Sequence, residues 1–366
     1  MCNQPKNQSQ ALNWLKFPLA VLVVYIHTHS RFISYTSATD EASAQLLYKM
    51  ILAITHLAVP TFFIISGYFF TKGCDDVGIH YDSVFGGKLR KRVRTLLIPF
   101  LLWNTIIAIC AFARKYFAHD LSDLHSLVEI YWGNTAGWLD QRNYLGLPSK
   151  SYVYPLDVPL WFVRDLMVSM LFAPILSWLA LKLKRYYLII TTLLLVLGVT
   201  PIIAGYRTST LYWFGFGFYF GIHGKLLIDG CARMKWPCLI IALLLWYPRV
   251  IQESLPVLLS ELCCNGFLVA GCVTMINLAV AVTRKQCLAV PATLQQSVFF
   301  VYSFHCFILF HPLIKAPLAI IPHNFFTLAL YLVVMPLVIV ALSVAAYAIS
   351  KRLLPHFTAL LTGNRC

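Results

Sequence analysis

The sequence predicts an all-α membrane protein: a polytopic helix bundle with about ten transmembrane helices and both termini in the cytoplasm. Hydrophobic residues make up 59% of the 366 residues and charged residues only 12%. Soluble domains carry roughly 25% charged residues. The mean hydropathy is +0.73. Because one water-soluble globule could not bury this much apolar surface, most of the chain is predicted to lie inside the bilayer.

Apolar runs of about twenty residues mark the individual spans. Ten candidates follow one another along the chain: 12–32, 48–70, 96–114, 158–181, 186–205, 210–228, 237–252, 257–282, 297–315 and 325–350. Proline or glycine interrupts several of them, which a bundle tolerates because neighbouring helices satisfy the freed backbone groups. The first ten residues lack the regions of a signal peptide, so the first run is predicted to be an uncleaved span. We treat residues 1–366 as a single transmembrane domain.

Basic residues set the predicted orientation. The formal net charge is +15 and the isoelectric point is about 9.4. With the N-terminus inside, the inner segments hold about twice as many Lys and Arg residues as the outer ones, as the positive-inside rule requires. No nucleic-acid-binding motif is present, so the charge indicates topology and not a nucleic-acid partner. The eleven cysteines lie mostly in apolar runs without CxxC spacing, which predicts no metal site.

The first span carries two ionisable residues, Lys16 and His27. Eleven residues are close to three helical turns, so both side chains face one way with a rise of about 16 Å. Charged groups inside a span are costly and indicate function by default. A cation near the inner face with an imidazole deeper on the same stripe suits a site entered from the cytoplasm, where histidine is a general base. The alternative is a snorkelling lysine and a hydrogen-bonded interior histidine.

Two loops are longer than a connection needs. The inner loop 71–95 ends in the basic run KLRKRVR beside the membrane, and the outer loop 115–157 combines acidic and aromatic residues. Aromatic faces and carboxylates suit sugar binding. The alternative is an interfacial aromatic belt. The outer-loop residues concerned are Asp120, Asp123, Glu129, Tyr131, Trp132, Trp138, Asp140, Tyr144, Tyr152, Tyr154 and Asp157.

Further polar residues fall within the predicted spans. Arg164 and Asp165 are sequence neighbours, point about 100° apart and need not pair with each other. Any one polar residue is most simply a helix–helix hydrogen bond, but several polar spans in one bundle favour a shared polar chamber. The residues are His56, Ser66, Trp161, Arg164, Asp165, His305 and His311.

Five segments in order resemble the acyltransferase-3 family of bacterial membrane acyltransferases, over nearly the whole chain. Lys16-x10-His27 is similar to the Arg-x10-His stripe of that family, and Lys cannot make the bidentate contact of Arg. The other segments are VPTFFIISGYFF, with Phe62, Phe63, Ser66 and Gly67; KLRKRVRTLLIPFLLW, with Arg92, Arg94 and Pro99; PLWFVRDLMVSMLFAPIL; and SVFFVYSFHCFIL, with Tyr302 and His305.

The resemblance implies transfer of an acyl group, commonly acetyl from acetyl-CoA, to a hydroxyl of a glycan or lipid-linked sugar at the bacterial inner membrane. It implies the bilayer, acyl-CoA and the sugar acceptor as partners, acyl-CoA as a substrate and no permanently bound cofactor. On this basis His27 is the general base, and Ser66, Tyr302 and His305 are candidate oxyanion donors. Lys16, Arg90, Arg92 and Arg94 are predicted to bind the cofactor phosphates. Trp161, Arg164 and Asp165 are predicted to bind substrate.

A transporter or flippase for a glycan or lipid-linked sugar is the alternative. Polar residues in several spans and an aromatic, acidic outer loop fit that function as well. A transporter has no need of a basic inner loop that holds coenzyme A.

Overall fold

The computed structural model describes residues 4–35, 42–72, 81–119, 125–133, 141–142, 145–150, 153–284, 290–307 and 310–363. These residues are almost entirely helical, which confirms the predicted all-α class. Two short antiparallel ribbons accompany the helices. They pair β1 (Gln141–Arg142) with β2 (Pro148–Lys150), and β3 (Ile202–Ile203) with β4 (Tyr206–Arg207).

The helices alternate between long apolar rods and short segments. Those of the N-terminal half are α1 (Gln4–Tyr35), α2 (Ala42–Thr55), α3 (Ala58–Thr71), α4 (Tyr81–Arg92), α5 (Ile98–Phe117), α6 (Leu127–Tyr131), α7 (Trp161–Leu171), α8 (Ala173–Leu183) and α9 (Arg185–Val196). Those of the C-terminal half are α10 (Ser209–Ile222), α11 (Leu227–Arg233), α12 (Lys235–Val250), α13 (Val257–Arg284), α14 (Ala292–Phe304), α15 (Phe310–Ile320), α16 (Phe325–Leu353) and α17 (Pro355–Thr362).

Several described helices are long and apolar enough to cross a bilayer. They are Gln8–His29, Ala42–Thr71, Phe85–Phe117, Val257–Arg284 and Phe325–Leu353. A sixth span results if Val158–Leu171 and Ala173–Leu183, which meet at an angle of 61°, are taken together. The chain is therefore a multi-pass membrane helix bundle. The number ten and the cytoplasmic position of both termini remain predictions, since helices such as α9 and α10 fall short of the roughly twenty residues that a crossing needs.

The basic segment assigned to the loop 71–95 lies on a helix. Residues 73–80 are outside the described part of the chain, and α4 begins at Tyr81. A π-helical turn, Val93–Leu97, joins α4 to α5, and the N–H of Ile98 donates to the carbonyl oxygen of Val93. The wide turn precedes Pro99, which has no N–H to donate. Span three therefore continues a helix that already carries the basic run.

Span nine, predicted as 297–315, is broken. Helix α14 ends at Phe304, residues 305–307 form a turn and bend, and α15 begins at Phe310. Irregular backbone within a membrane protein is tolerated where it is buried in protein or lines a cavity. The break therefore marks a place at which the bundle, and not lipid, surrounds the chain.

The closest helix pair of the core is α3 with α10, because glycines lie at the contact. A Cβ atom at Gly67 would overlap the backbone oxygen of Phe214, and one at Gly217 would overlap the backbone oxygen of Ile64. Small residues let helix backbones approach in this way. The packing of Gly67 against α10 fixes the rotation of α3, and the preceding residue, Ser66, is rotated from that contact by about 100°.

Candidate active site

A cavity of about 320 Å³ opens between α1, α3, α7 and α14. Its polar lining residues are Asn13, Lys16, Ser66, Arg92, Gln295, Gln296 and Tyr302. Phenylalanine side chains, Phe62, Phe69, Phe162 and Phe299, form much of the apolar remainder. The described lining has two cations and no carboxylate, so it suits an anionic ligand that carries an apolar arm.

The cavity follows α14 from Gln295 to Tyr302, a rise of about 10 Å. Lys16 enters it from α1, where its ammonium group donates to Asn13 Oδ1 at 2.8 Å and lies 5.0 Å from the ring centre of Phe69. His27 is not a lining residue of the cavity. The two ends of the predicted Lys16–His27 stripe therefore reach different parts of the site.

The basic run divides between two faces of its helix. Arg92 is half-buried and lines the cavity, whereas Arg90 and Arg94 are exposed and do not. A helical residue two positions away is rotated by about 200°, so Arg90 and Arg94 lie on the face of the helix opposite to that of Arg92. Of the three arginines predicted to bind phosphate, the structure brings only Arg92 to the cavity.

His27 packs against the break in span nine. Its ring centre lies 5.1 Å from that of His305, and both rings lie close to the thiol of Cys306. One ligating atom from each of these three residues lies within 4.8 Å of the other two. The cluster could hold a metal ion by its donor set, or it could pair a thiol with a base.

The orientation of His305 is set by its own helix. Its Nδ1 lies 2.9 Å from the carbonyl oxygen of Val301, which can only accept, so Nδ1 carries the proton. The Nε2 atom is buried and has no hydrogen-bond partner among the residues that the structure describes. In this tautomer Nε2 is the basic nitrogen, and it is held away from solvent because the side chain is only 3% exposed.

The structure distinguishes Ser66 from Tyr302. Both line the cavity, and Ser66 is half-buried at its wall. The hydroxyl group of Tyr302 donates to the carbonyl oxygen of Pro159 at 2.7 Å. Its one proton is therefore engaged, whereas the hydroxyl group of Ser66 makes no hydrogen bond among the described residues.

Arg164 and Asp165 pair with each other, although their 100° separation along the helix did not require it. Arg164 Nε donates to Asp165 Oδ1 at 2.9 Å, and Arg164 Nη2 donates to the carbonyl oxygen of Gly205. The flexible arginine side chain bends back across the angle, and burial makes pairing necessary. Arg207 lies 3.7 Å from Asp165 and stacks on Trp161, 4.0 Å from its ring centre. This network ties β4 to α7, and the structure does not bring Trp161, Arg164 or Asp165 to the cavity wall.

Asp157, predicted as one of the outer-loop acidic residues, is fully buried. Its N–H donates to Asn104 Oδ1 at 2.9 Å, but neither carboxylate oxygen has a hydrogen-bond partner among the described residues. Burial raises the pKa of this carboxyl group well above its ordinary value. Several of the other outer-loop residues lie outside the described part of the chain: Asp120, Asp123, Trp138, Asp140, Tyr144 and Tyr152. The side chain of His311 also lies outside it.

Sequence reasoning missed Gln295, Gln296 and Cys306. Gln295 and Gln296 are polar residues of α14 that line the cavity. In the sequence they directly precede an apolar run, and this polar pair could have indicated their role. Cys306 was interpreted as a buried hydrophobe, yet it is half-buried and adjoins two imidazoles. Its adjacency to His305 in the sequence was the signal for it.

Comparisons with known proteins agree with this architecture. A family profile described as an acyltransferase domain, that of the acyltransferase-3 family, matches residues 9–350. The succinoglycan biosynthesis protein ExoH of Rhizobium meliloti strain 1021 is 26% identical over 226 residues. That match covers 60% of this chain and 55% of the relative, so it spans little more than half of the relative's length. No solved structure matches the chain.

Proposed function

This chain belongs to the acyltransferase-3 family, and we propose that it transfers an acyl group, in the first instance acetyl, from acyl-CoA to a hydroxyl of a glycan or lipid-linked sugar. The observation that carries the proposal is the His27–His305 pair, which lies next to a cavity with cationic and apolar walls. A relative named for succinoglycan biosynthesis supports a polysaccharide acceptor. Membership of an acyltransferase family favours acyl transfer over the transport function that the sequence left open.

The cavity lining supports acyl-CoA as the donor. Lys16 and Arg92 supply the charges that coenzyme A phosphates require, and Gln295 and Gln296 supply amide groups. The phenylalanine wall suits the pantetheine arm, which would run along α14 towards Tyr302. In this arrangement the thioester arrives one helical turn before His305.

The chemistry needs a base, an electrophile and an oxyanion donor. The acceptor hydroxyl oxygen attacks the thioester carbonyl carbon while His27 takes the hydroxyl proton. Ser66 donates to the developing oxyanion, and coenzyme A leaves as its sulfur is protonated. His305, with Nε2 as its basic nitrogen, assists the proton transfer.

The finer topology belongs to the same proposal. The chain acts as one domain with about ten crossings of the bacterial inner membrane and with both termini in the cytoplasm, so that Lys16 and Arg92 face cytoplasmic acyl-CoA. The acceptor then approaches from the end of the bundle that carries Trp161, Arg164 and Asp165. Because Arg164 and Asp165 satisfy each other, their part in acceptor binding is to position the surrounding aromatic side chains.

Acyl transfer by the full chain in lipid nanodiscs tests the proposal. Labelled acyl-CoA, with neutral and with anionic acyl groups, is offered together with glycans from a strain that lacks the gene. We expect labelled glycan from the wild type, a loss of about 100-fold or more in His27→Ala, and normal transfer in His356→Ala, whose side chain is exposed. Normal transfer by folded His27→Ala would overturn the role of His27. Absence of transfer from every donor by the folded wild type would overturn the function.

A further inference from the structure

The break between α14 and α15 places a thiol beside two imidazoles. Helix α14 ends at Phe304, so His305 and Cys306 lie in a turn and not on a regular helix. The ligating atoms of His27, His305 and Cys306 lie within 4.8 Å of one another. In the part of the chain that the structure describes, no other group of three His, Cys, Asp or Glu side chains is gathered so closely.

A base is available to that thiol. Because Nδ1 of His305 donates to the carbonyl oxygen of Val301, its Nε2 holds a lone pair, and within the described part of the chain this buried atom has no hydrogen-bond partner. A thiol next to an imidazole is the arrangement that activates a cysteine nucleophile. Cys306 as a residue is half-buried, in contrast to the buried cysteines Cys231, Cys238, Cys263 and Cys272.

The thiol lies just beyond the end of the cavity lining on α14, and neither His305 nor Cys306 is itself a lining residue. Tyr302 lines the cavity, and Cys306 follows it by four residues, about one helical turn along the chain. We propose that Cys306 carries the acyl group as a covalent thioester between the donor and the acceptor. This inference rests on the proposed function and adds an intermediate to it.

Two exchanges make up the reaction. In the first, the sulfur of Cys306 attacks the thioester carbonyl carbon of acyl-CoA, the bond from that carbon to the coenzyme A sulfur breaks, and the thiol proton passes through an imidazole to coenzyme A. In the second, the acceptor hydroxyl oxygen attacks the Cys306 thioester carbon, and its proton passes through His27 to the released Cys306 sulfur. Each step breaks one acyl bond and forms another, so no oxidant or reductant is needed.

The full chain in nanodiscs, given acetyl-labelled acetyl-CoA without acceptor, tests the intermediate. We expect protein-bound label that neutral hydroxylamine releases, with the modified peptide containing Cys306, in the wild type and in Cys110→Ala. Cys110 is a matched control because it is another half-buried thiol outside the cluster. Cys306→Ala should lose the label and about 100-fold or more of glycan transfer.

The outcomes separate this inference from the proposed function. Wild-type transfer that persists at the normal rate in Cys306→Ala overturns the covalent intermediate and leaves the acyltransferase intact. Label on another residue in Cys306→Ala does the same. A bound metal ion at one equivalent in the wild type, lost in Cys306→Ala, overturns it in favour of a metal site. No transfer and no label in folded wild type points instead to failure of the proposed function.

Discussion

Arg92 and Arg94 carry the same charge two residues apart, but only Arg92 lines the cavity. Replacing Arg92 by Gln removes a charged donor from a half-buried wall. A hydrogen bond to a charged group contributes about 1.5–3 kcal/mol, and every 1.4 kcal/mol is a factor of ten. We therefore expect the KM for acyl-CoA to rise by about 10- to 150-fold in Arg92→Gln, with a smaller change in kcat.

Arg94→Gln is the matched control, since it makes the same chemical change on the exposed face of the same helix. Exposed charge pairs contribute about 0–1 kcal/mol, so its KM should rise by about fivefold at most. Initial rates at varied acyl-CoA and saturating acceptor give both constants, and calorimetric titration gives the Kd of the donor independently. Equal effects of the two substitutions, or a larger effect of Arg94→Gln, would show that the cavity is not where the donor phosphates bind.

Two further predictions concern packing and burial. Gly67→Ala should lower the thermal midpoint of the chain in nanodiscs, because the new Cβ overlaps the backbone of Phe214. Gly86→Ala, in α4 with open space around it, should leave the midpoint unchanged. Equal midpoints for the two variants would contradict the packing argument. Burial raises the folded-state pKa of Asp157, so stability should fall as pH rises above the ordinary value of 3.8. Asp157→Asn should therefore raise the thermal midpoint at pH 7, and the increase should become smaller as the pH is lowered towards 4. A midpoint below the wild-type value at pH 7 would contradict this reasoning, because it would mean that the carboxylate has a stabilising partner.

Helical spacing placed two of the candidate site residues on one side of the first helix. Lys16 and His27 were placed on one stripe, and the structure directs both towards α14, at its start and beyond its end. Ser66 was selected from its segment, and its neighbour Gly67 proved to be the contact that orients it. The placement of Lys16 and His27 depends on periodicity, which a straight apolar helix obeys closely, whereas Ser66 was selected because its segment resembles that of the family. Spacing could also separate Arg92 from Arg94, but it could not say which of them faces the protein.

Other features depend on contacts that spacing does not record. The pairing of Arg164 with Asp165 follows from the reach of a long side chain and from burial among backbone carbonyls such as that of Gly205. The same is true of Asp157, whose backbone is fixed by Asn104 from more than fifty positions away. From residue type and sequence position, Asp157 was expected in an exposed loop, and Arg164 and Asp165 were expected to be separate charges. In the folded chain all three side chains are buried.

The break at His305 shows why an apolar run does not determine backbone conformation. Residues 298–310 contain no glycine or proline, so the sequence predicts one continuous span. Hydrophobicity reports that a segment leaves water, but a regular helix is required only where lipid surrounds it. At His305 the turn packs against the ring of His27 on α1, and the N–H of His305 still donates to the carbonyl oxygen of Val301. The turn that carries this imidazole and thiol departs from the continuous helix that the apolar run predicts, and conflicts of this kind between local pattern and fold are concentrated at functional sites.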